Sequence, residues 1–226
     1  MRLIKMVLGD IRFQFKYGFY FIYAVFCCLY VFLLLIFPEA WRERAASIMI
    51  YSDPAAMGLF FMGAIVLLEK SQRVLNALAV SPVKVSEYIT AKIVSLMLIS
   101  VLVSLVLALT AGLENILAVL FTTALTSVIF TLLGLIVAAK INSLNQYIFA
   151  TVPLEIICFI PPIIYLFVPT AIMRWYPLNG SMALLSGNSL NPLYDIVLLL
   201  ITAVCLFIAA RSATVKMWKS LGGVKL

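Results

Sequence analysis

Residues 69–92 of the chain read EKSQRVLNALAVSPVKVSEYITAK, and this stretch decides how the rest of the sequence is interpreted. The stretch is polar and amphipathic, but strongly apolar segments stand directly before and after it. Long apolar segments favour burial in a bilayer, whereas charged side chains such as Glu69, Lys70 and Arg73 are costly there and favour water. We therefore expect residues 69–92 to form a loop that lies in water beside a membrane.

The composition of the whole chain points to an integral membrane protein. The 226 residues are 65% hydrophobic, with a mean hydropathy of +1.17, whereas a soluble domain of average composition is nearer half apolar. The chain contains no histidine, which excludes histidine-based catalytic triads, metal sites and proton relays. All four cysteines, Cys27, Cys28, Cys158 and Cys205, lie in apolar runs and are interpreted as small core residues. No catalytic, cofactor-binding or metal-binding residues are predicted.

The apolar segments predict an all-α membrane protein with six transmembrane helices. One crossing of a bilayer needs roughly 20 apolar residues. The predicted spans are residues 17–38, 45–68, 93–113, 115–139, 147–168 and 192–210. The soluble pieces between them are too short to bury a core of their own. The whole chain, residues 1–226, is therefore predicted to be a single transmembrane domain.

The second and fifth spans are irregular. The apolar run before the loop extends back only to Pro54, which is short for a hydrocarbon core of about 30 Å. Either a short helix begins there with Asp53 as its cap, or a kinked helix reaches back through Ala45; we favour the kinked helix. In the fifth span, Pro153 and the pair Pro161–Pro162 remove backbone donors. We expect this helix to be broken in its outer half and residues 169–191 to form a re-entrant outer segment.

The distribution of basic residues predicts the orientation in the membrane. Thirteen lie on one side of the six-span arrangement: Arg2, Lys5, Arg12, Lys16, Lys70, Arg73, Lys84, Lys92, Lys140, Arg211, Lys216, Lys219 and Lys225. Only Arg42, Arg44 and Arg174 lie on the other side. Because basic residues concentrate in cytoplasmic loops, both termini are predicted to be cytoplasmic, in a multi-pass protein of the bacterial plasma membrane.

The first 16 residues show helical periodicity. Apolar residues from Leu3 to Phe15 recur at helical spacing, with basic residues on the opposite face. This pattern predicts an amphipathic helix over residues 1–16 that lies on the inner leaflet. A frayed basic tail is the alternative.

The loop resembles the cytosolic loop between the second and third spans of type-two (ABC-2) ABC export permeases of the drug-export kind. The matching residues are Glu69, Leu75, Leu78, Ser81, Pro82, Glu87, Tyr88 and Lys92. Where that family usually starts the loop helix with Gly-Thr, this chain has Arg73 and Val74. The resemblance implies an N-terminal elbow helix, a cytosolic coupling helix, a second permease copy in a homodimer, and a separate ATP-binding cassette subunit that binds the ATP.

The predicted coupling helix, residues 71–80, is the expected docking site for that ATPase. The chain has no Gly-x-x-x-x-Gly-Lys-Ser/Thr phosphate loop. We assign docking to five residues: Arg73, Val74, Leu75, Leu78 and Pro82. A helix that lies on the lipid surface is the alternative interpretation of its apolar stripe. Glu69 and Lys92 are expected to pair across the base of the loop as exposed residues, which contributes less than about 1 kcal/mol.

Glu155 is, from the sequence, the only ionisable residue expected deep inside a span. Acidic groups at such depth cost on the order of 3 kcal/mol and normally face the helix bundle or water. Glu155 is therefore a candidate cavity residue that contacts cargo or couples to gating; a structural hydrogen bond or a protonated acid is the alternative. Asp53, Glu114 and Asp195 are expected at outer helix ends, where helix capping explains them.

The leading interpretation is the membrane subunit of an ATP-driven exporter of drug-like or lipid-like amphiphilic cargo. Such a chain would not be an enzyme by itself, would contact lipid and would bind no nucleic acid. One alternative is a secondary transporter or channel that uses Glu155 as its coupling group. Another is an assembly or immunity protein that keeps the fold without pumping.

Overall fold

A computed structural model of the protein describes residues 2–222 and contains, within that range, only helical secondary structure. The elements in chain order are α1 Arg2–Lys16, α2 Phe19–Ile36, α3 Glu39–Ile50, a π-helical turn Tyr51–Ala55, α4 Met57–Ser71, α5 Val74–Ala79, α6 Val85–Ala111, α7 Ile116–Lys140, α8 Leu144–Phe167, a 3-10 helix Ile172–Trp175, α9 Pro177–Leu185 and α10 Pro192–Gly222.

Six helices among the described residues are long and apolar enough to cross a membrane, which confirms the predicted fold class. They are α2, the continuous helix Glu39–Ser71, α6, α7, α8 and α10. The connections between them define two ends of the bundle. The α5 end carries α1 and α5, and the α9 end carries α9 and the beginning of α3. The C-terminal part of α10 also lies at the α5 end, where Met217 and Trp218 share an apolar cluster with Leu75.

The second span is one continuous helix, the longer of the two forms that the sequence allows, and it begins at Glu39 rather than Ala45. A π-helical turn joins α3 to α4 within it. Pro54 has no amide hydrogen to donate to the carbonyl of Ile50. In a π turn each bond reaches one residue further, so the amide of Ala55 can serve that carbonyl. The proline thus widens the helix without ending it.

The predicted break in the fifth span is wrong, because α8 is continuous from Leu144 to Phe167 despite three internal prolines. Pro161 and Pro162 leave the carbonyls of Ile157 and Cys158 without their usual helical donors. Side-chain hydroxyls from two other elements donate to these carbonyls instead, Tyr176 to Ile157 and Tyr51 to Cys158. A helix with interior prolines can persist in a membrane when neighbours satisfy its freed backbone groups.

The segment between the fifth and sixth spans turns back into the protein. Residues 178–183 and Leu185 of α9 are buried, and α9 packs against α7, α8 and α10. The hydroxyl of Ser181 is fully buried and shares a 2.5 Å hydrogen bond with Thr126. Asp195 in the first turn of α10 lies against Gly180 and accepts a 2.5 Å hydrogen bond from Ser189. The segment is therefore an integral part of the α9 end.

Helices α4 and α7 pack closely against each other. A methyl group at Gly134 would lie 2.8 Å from the carbonyl oxygen of Leu59, so only glycine permits this approach. Small residues at such positions let helix backbones pack closely in membranes. The α4–α7 pair forms the centre of the bundle. Its packing fixes the position of the C-terminal end of α4, where the loop begins.

Helix α10 extends well beyond the predicted end of the sixth span at residue 210, as far as Gly222. Met217 and Trp218 in this extension are buried in the same apolar cluster as Leu75 of α5 and Tyr88 of α6. The Trp218 and Tyr88 rings meet edge to face with centroids 5.6 Å apart. The C-terminal part of α10 therefore packs against the loop helix α5 and stabilises its position.

Candidate functional site

The loop helix α5 is shorter than predicted, because Ser71 still belongs to α4 and α5 covers only Val74–Ala79. Arg73 precedes it with φ 58°, the left-handed conformation that favours glycine. The hydroxyl of Ser81 donates to the carbonyl of Leu78 over 2.7 Å and so satisfies one group at the end of the helix. Pro82 follows, exposed. These local contacts give the loop a defined shape between the two spans.

The apolar stripe of α5, to which the sequence analysis assigns a docking role, faces the protein itself. Leu75 is 0% exposed and belongs to the buried cluster beside Tyr88 and Trp218. Leu78 is half-buried against the same cluster, and Val74 is also half-buried. Leu75 cannot reach a partner unless α5 unpacks, so the stripe anchors the helix.

The opposite face of α5 is open. Arg73, Asn76, Ala77 and Pro82 are exposed, and Val80 is 72% exposed. This face combines one cation, one amide and small or medium apolar groups, as the contact surfaces of proteins commonly do. Of the five predicted docking residues, Arg73 and Pro82 lie fully on this face.

A buried ion cluster lies at the base of the loop. The Lys92 ammonium forms ion pairs with Asp10, at 2.5 Å, and with Glu69. The Tyr88 hydroxyl donates to the second Glu69 oxygen over 2.7 Å. Lys92 is 1% exposed, so the expectation of an exposed Glu69–Lys92 pair of little consequence is wrong. Removing one partner of a buried ion pair costs about 3–5 kcal/mol, because it leaves an uncompensated charge.

The charges in the cluster are unequal, since one ammonium faces two carboxylates. Burial raises the pKa of the Asp10 carboxyl above its ordinary value, although the Lys92 ammonium acts in the opposite direction. The carboxylate of Glu69 also raises the pKa of Asp10. Lys92 is therefore the residue on which both carboxylates depend for charge compensation.

Helix α1 is attached to the spans through polar groups on its inner face. Asp10 binds Lys92 and, one turn later, the amide of Gln14 donates to the Ser95 hydroxyl over 2.9 Å. Its opposite face exposes apolar side chains that include Ile4, Leu8 and Phe15, as suits a helix in a membrane interface. The sequence interpretation missed Asp10 and Gln14. The signal was available, because Asp10 is the only acid in a basic helix and Gln14 lies four residues later.

Lys70 also has a structural partner. Its ammonium donates to the carbonyls of Ala138, at 2.9 Å, and Ile141, at 2.6 Å, at the end of α7. A cation at a helix C-terminus compensates the carbonyls that lack helical donors. Lys70 therefore fastens α4 to α7 beside the loop.

The structure does not bring Glu155 to the ion cluster. Glu155 is half-buried within α8 and lies on the same helical face as Thr151 and Cys158. No hydrogen bond or ion pair to another described residue involves it. The structural hydrogen bond considered as an alternative for Glu155 is thus not present among the described residues.

Asp53 is a second acidic residue within the spans, which corrects both its expected capping role and the view that Glu155 is alone. It lies in the π-helical turn inside the continuous helix Glu39–Ser71 and is 6% exposed. Its Oδ2 atom is buried without a hydrogen-bond partner in the described part of the chain.

The described part of the chain shows no cluster of metal-binding side chains. Among residues 2–222 no group of three or more Cys, Asp or Glu side chains is arranged to hold a metal ion. The four cysteines are unpaired. The candidate site therefore has two features. One is the open face of α5, and the other is the buried ion cluster that joins α1, α4 and α6.

Comparison with known proteins gives a match along nearly the whole chain. The model of the fluoroquinolones export permease protein family matches residues 1–217. Two relatives, both described as fluoroquinolones export permease proteins, come from the CDC 1551/Oshkosh and ATCC 25618/H37Rv strains of Mycobacterium tuberculosis. Each is 28% identical to this chain over 158 residues, which are 68% of this chain and 67% of the relative.

Proposed function

The chain belongs to the fluoroquinolones export permease protein family, and from this premise we propose that it is the membrane subunit of an ATP-driven exporter. In this proposal a separate ATP-binding cassette subunit binds and hydrolyses the ATP. The observation that carries the proposal is the two-sided loop helix, with one face anchored in the core and the other open. A helix that merely lay on lipid would direct its apolar stripe outward, whereas here Leu75 points inward.

The ATPase docks on the open face of α5, defined by Arg73, Asn76, Ala77, Val80 and Pro82. A displacement of α5 would be transmitted in two ways. The apolar contacts of Leu75 pass it to the end of α10. The ion cluster directly below the loop passes it to α1, α4 and α6, because Lys92 joins all three elements. Buried ion pairs suit this role, since they resist being separated singly.

A second copy of the chain completes the exporter. Helix α2 exposes large apolar residues at Phe21, Val25, Leu29 and Phe32, which recur along one helical face. Helix α8 likewise exposes Phe149, Val152, Ile156 and Ile160. Lipid can cover either face, but a homodimer built on them would enclose a path between the two copies. Glu155 on α8 would stand near the edge of that path.

The α5 end carries most of the basic residues and is placed in the cytoplasm by the positive-inside rule. The protein would then lie in a bacterial plasma membrane and move cargo outward. The cargo proposed is an amphiphilic, drug-like molecule, for which the names of the relatives support fluoroquinolones.

The experiment is co-purification of the full-length permease with the ATPase encoded beside it, followed by measurement of ATP hydrolysis. Val80→Asp places a charge on the open face and should reduce the recovered ATPase at least about tenfold, with a normal yield of folded permease. Leu190→Asp is the matched control, since Leu190 is 83% exposed at the α9 end. Leu75→Asp should instead lower the folded yield, because it buries an unpaired charge. Undiminished ATPase recovery with both Val80→Asp and Ala77→Asp would exclude this face.

A further inference from the structure

A basic groove lies along the C-terminal part of α10. It has a volume of about 660 Å³, within the range of about 300–1,000 Å³ that is usual for small-ligand pockets. Three cations line it, Arg211, Lys216 and Lys219. The rest of its lining is mostly apolar and includes Phe207 and Ile208. The groove thus combines a concentrated positive charge with apolar surface.

The groove is on the side of α10 that points away from the protein. Met217 and Trp218 are buried on the other side, in the cluster that contains Leu75 of α5. Arg211, Lys216 and Lys219 are exposed. The inward face of this part of α10 therefore holds the helix in place, and the outward face is free to bind a ligand.

The three cations have no counter-ion in the described structure. No ion pair between residues 2–222 involves Arg211, Lys216 or Lys219. Among the described residues that line the groove, none is acidic. Lys216 and Lys219 are three residues apart and so are neighbours on the helix surface, where like charges repel each other. An anionic ligand would remove this repulsion.

The groove crosses the boundary between the apolar and polar parts of α10. The residues between Asp195 and Arg211 carry no charge, so Arg211 marks the end of the apolar span at the α5 end. Phe207 and Ile208 lie about one turn before Arg211, within the apolar part, and Ile208 is 62% exposed. The groove is therefore apolar at the depth of the acyl chains and cationic at the depth of the lipid headgroups.

We propose that this groove binds an anionic phospholipid from the leaflet at the α5 end. The phosphate accepts hydrogen bonds from the Arg211 guanidinium and the Lys216 and Lys219 ammonium groups, which are common phosphate donors. An acyl chain lies against Phe207 and Ile208. Basic pockets beside membrane spans recognise anionic headgroups in this way.

Charge and depth distinguish this ligand from the alternatives. A zwitterionic lipid carries its own ammonium group, so it would compensate the three cations less well than an anionic lipid does. An acidic surface of a soluble protein would reach Lys216 and Lys219, but it would not reach Phe207 and Ile208 within the apolar span. The proposal does not rest on ATP-driven export, since the lipid binds the permease alone.

The test is native mass spectrometry of the purified full-length permease in detergent, without any ATPase. Dioleoyl phosphatidylglycerol and dioleoyl phosphatidylcholine are added in equal amounts, so that the two probes have the same chains and differ in headgroup charge. We expect the adduct with phosphatidylglycerol to be at least about fivefold more abundant.

Two variants with the same change in net charge assign the preference to the groove. Arg211→Gln/Lys216→Gln/Lys219→Gln should reduce the preference for phosphatidylglycerol at least about fivefold. Lys5→Gln/Arg12→Gln/Lys16→Gln is the matched control, since it removes three exposed cations from α1. It should keep most of the preference. If the first variant fails to fold, Lys216→Glu at a single exposed position replaces it and should also reduce the preference.

Loss of the preference in the groove variant, with retention in the α1 variant, would support the proposal. Equal binding of the two lipids by the parent protein would overturn it. An equal loss in both variants would also overturn it, because the preference would then come from the overall charge of the α5 end. If the folded groove variant keeps its lipid preference but recovers less ATPase in co-purification, the groove binds a protein and the lipid assignment is wrong.

Discussion

The hydroxyl of Tyr51 donates a hydrogen bond of 2.7 Å to the carbonyl oxygen of Cys158, which lies 107 residues further along the chain. This carbonyl is the one that Pro162 leaves without a helical donor. The hydroxyl of Tyr176 does the same for Ile157, at 2.9 Å, in place of Pro161. The π-helical turn of the second span and the residue before α9 therefore hold the proline region of α8 in helical form.

Removing these hydroxyls should destabilise α8 locally. Tyr51→Phe and Tyr176→Phe keep the rings but leave a carbonyl unsatisfied, so each should cost about 1–3 kcal/mol. Hydrogen exchange of the C-terminal half of α8 should increase, and the melting temperature in detergent should fall.

The matched control is Tyr165→Phe, since Tyr165 lies on the same helix and its hydroxyl makes no hydrogen bond to another described residue. That variant should leave both measurements unchanged. Equal behaviour of all three variants would show that the two hydroxyls do not support the helix.

Lys92 is expected to be the residue on which the ion cluster depends. Lys92→Met removes the cation and leaves Asp10 and Glu69 facing each other, which should cost about 3–5 kcal/mol of stability. Asp10→Asn should cost much less, because Glu69 keeps Lys92 as its partner. Denaturation of the purified permease measures both, with Lys219→Met at an exposed position as the control.

The pH dependence of stability gives an independent measurement on Asp10. Its pKa is raised in the folded protein, so between the unfolded and folded values the native state binds more protons than the unfolded state. The stability contributed by Asp10 must then decrease as the pH rises through this window. Asp10→Asn should remove that decrease. A larger loss of stability in Asp10→Asn than in Lys92→Met would contradict the assignment.

Arg73 adopts a backbone conformation that glycine takes without strain. A non-glycine residue at φ 58° costs roughly 1–2 kcal/mol, and the resembled family usually has glycine at this position. Arg73→Gly should therefore leave the permease as stable as the parent or up to about 1 kcal/mol more stable in thermal unfolding.

Arg73→Ala is the comparison variant, since it removes the side chain but keeps the strain. It should be less stable than Arg73→Gly. If alanine is the more stable of the two, the left-handed conformation of residue 73 does not limit stability.

Glu155 should prove dispensable for folding. Because it is half-buried and makes no hydrogen bond or ion pair among the described residues, both Glu155→Gln and Glu155→Leu should give a normal yield and melting temperature. If it lines the cargo path, both variants should alter cargo-stimulated ATP hydrolysis or export. Unchanged hydrolysis and export in both would remove Glu155 from the mechanism.

The orientation can be measured with single cysteines in a cysteine-free background. An impermeant thiol reagent added to intact cells should not label cysteines placed at Lys84 or Lys219, at the α5 end, and should label one at Arg174, at the α9 end. The reason is the excess of basic residues at the α5 end. Labelling of position 84 from outside would reverse the proposed topology.

The sequence by itself determined the class, the number of spans and the position of the loop. Apolar length and the placement of charges decide these features, and both are local properties that can be read from consecutive residues. The sequence also favours the longer form of the second span, since the apolar run after Asp53–Pro54 is too short alone. The motif residues between Glu69 and Lys92 were sufficient to identify the family.

The tertiary structure alone decided which groups meet. The loop helix has one apolar stripe, and only the position of α10 settles that Leu75 faces inward. Likewise, the sequence of α8 predicts a broken helix because of its prolines. The helix is continuous because Tyr51, 107 residues away, donates a hydrogen bond to a carbonyl that a proline leaves free. From the sequence, Asp10 belongs to a surface helix. Only the structure shows that it binds Lys92, 82 residues away. Hydrogen bonds and ion pairs depend on distances between side chains that sequence spacing does not fix, whereas hydrophobic burial depends on the length and composition of each segment.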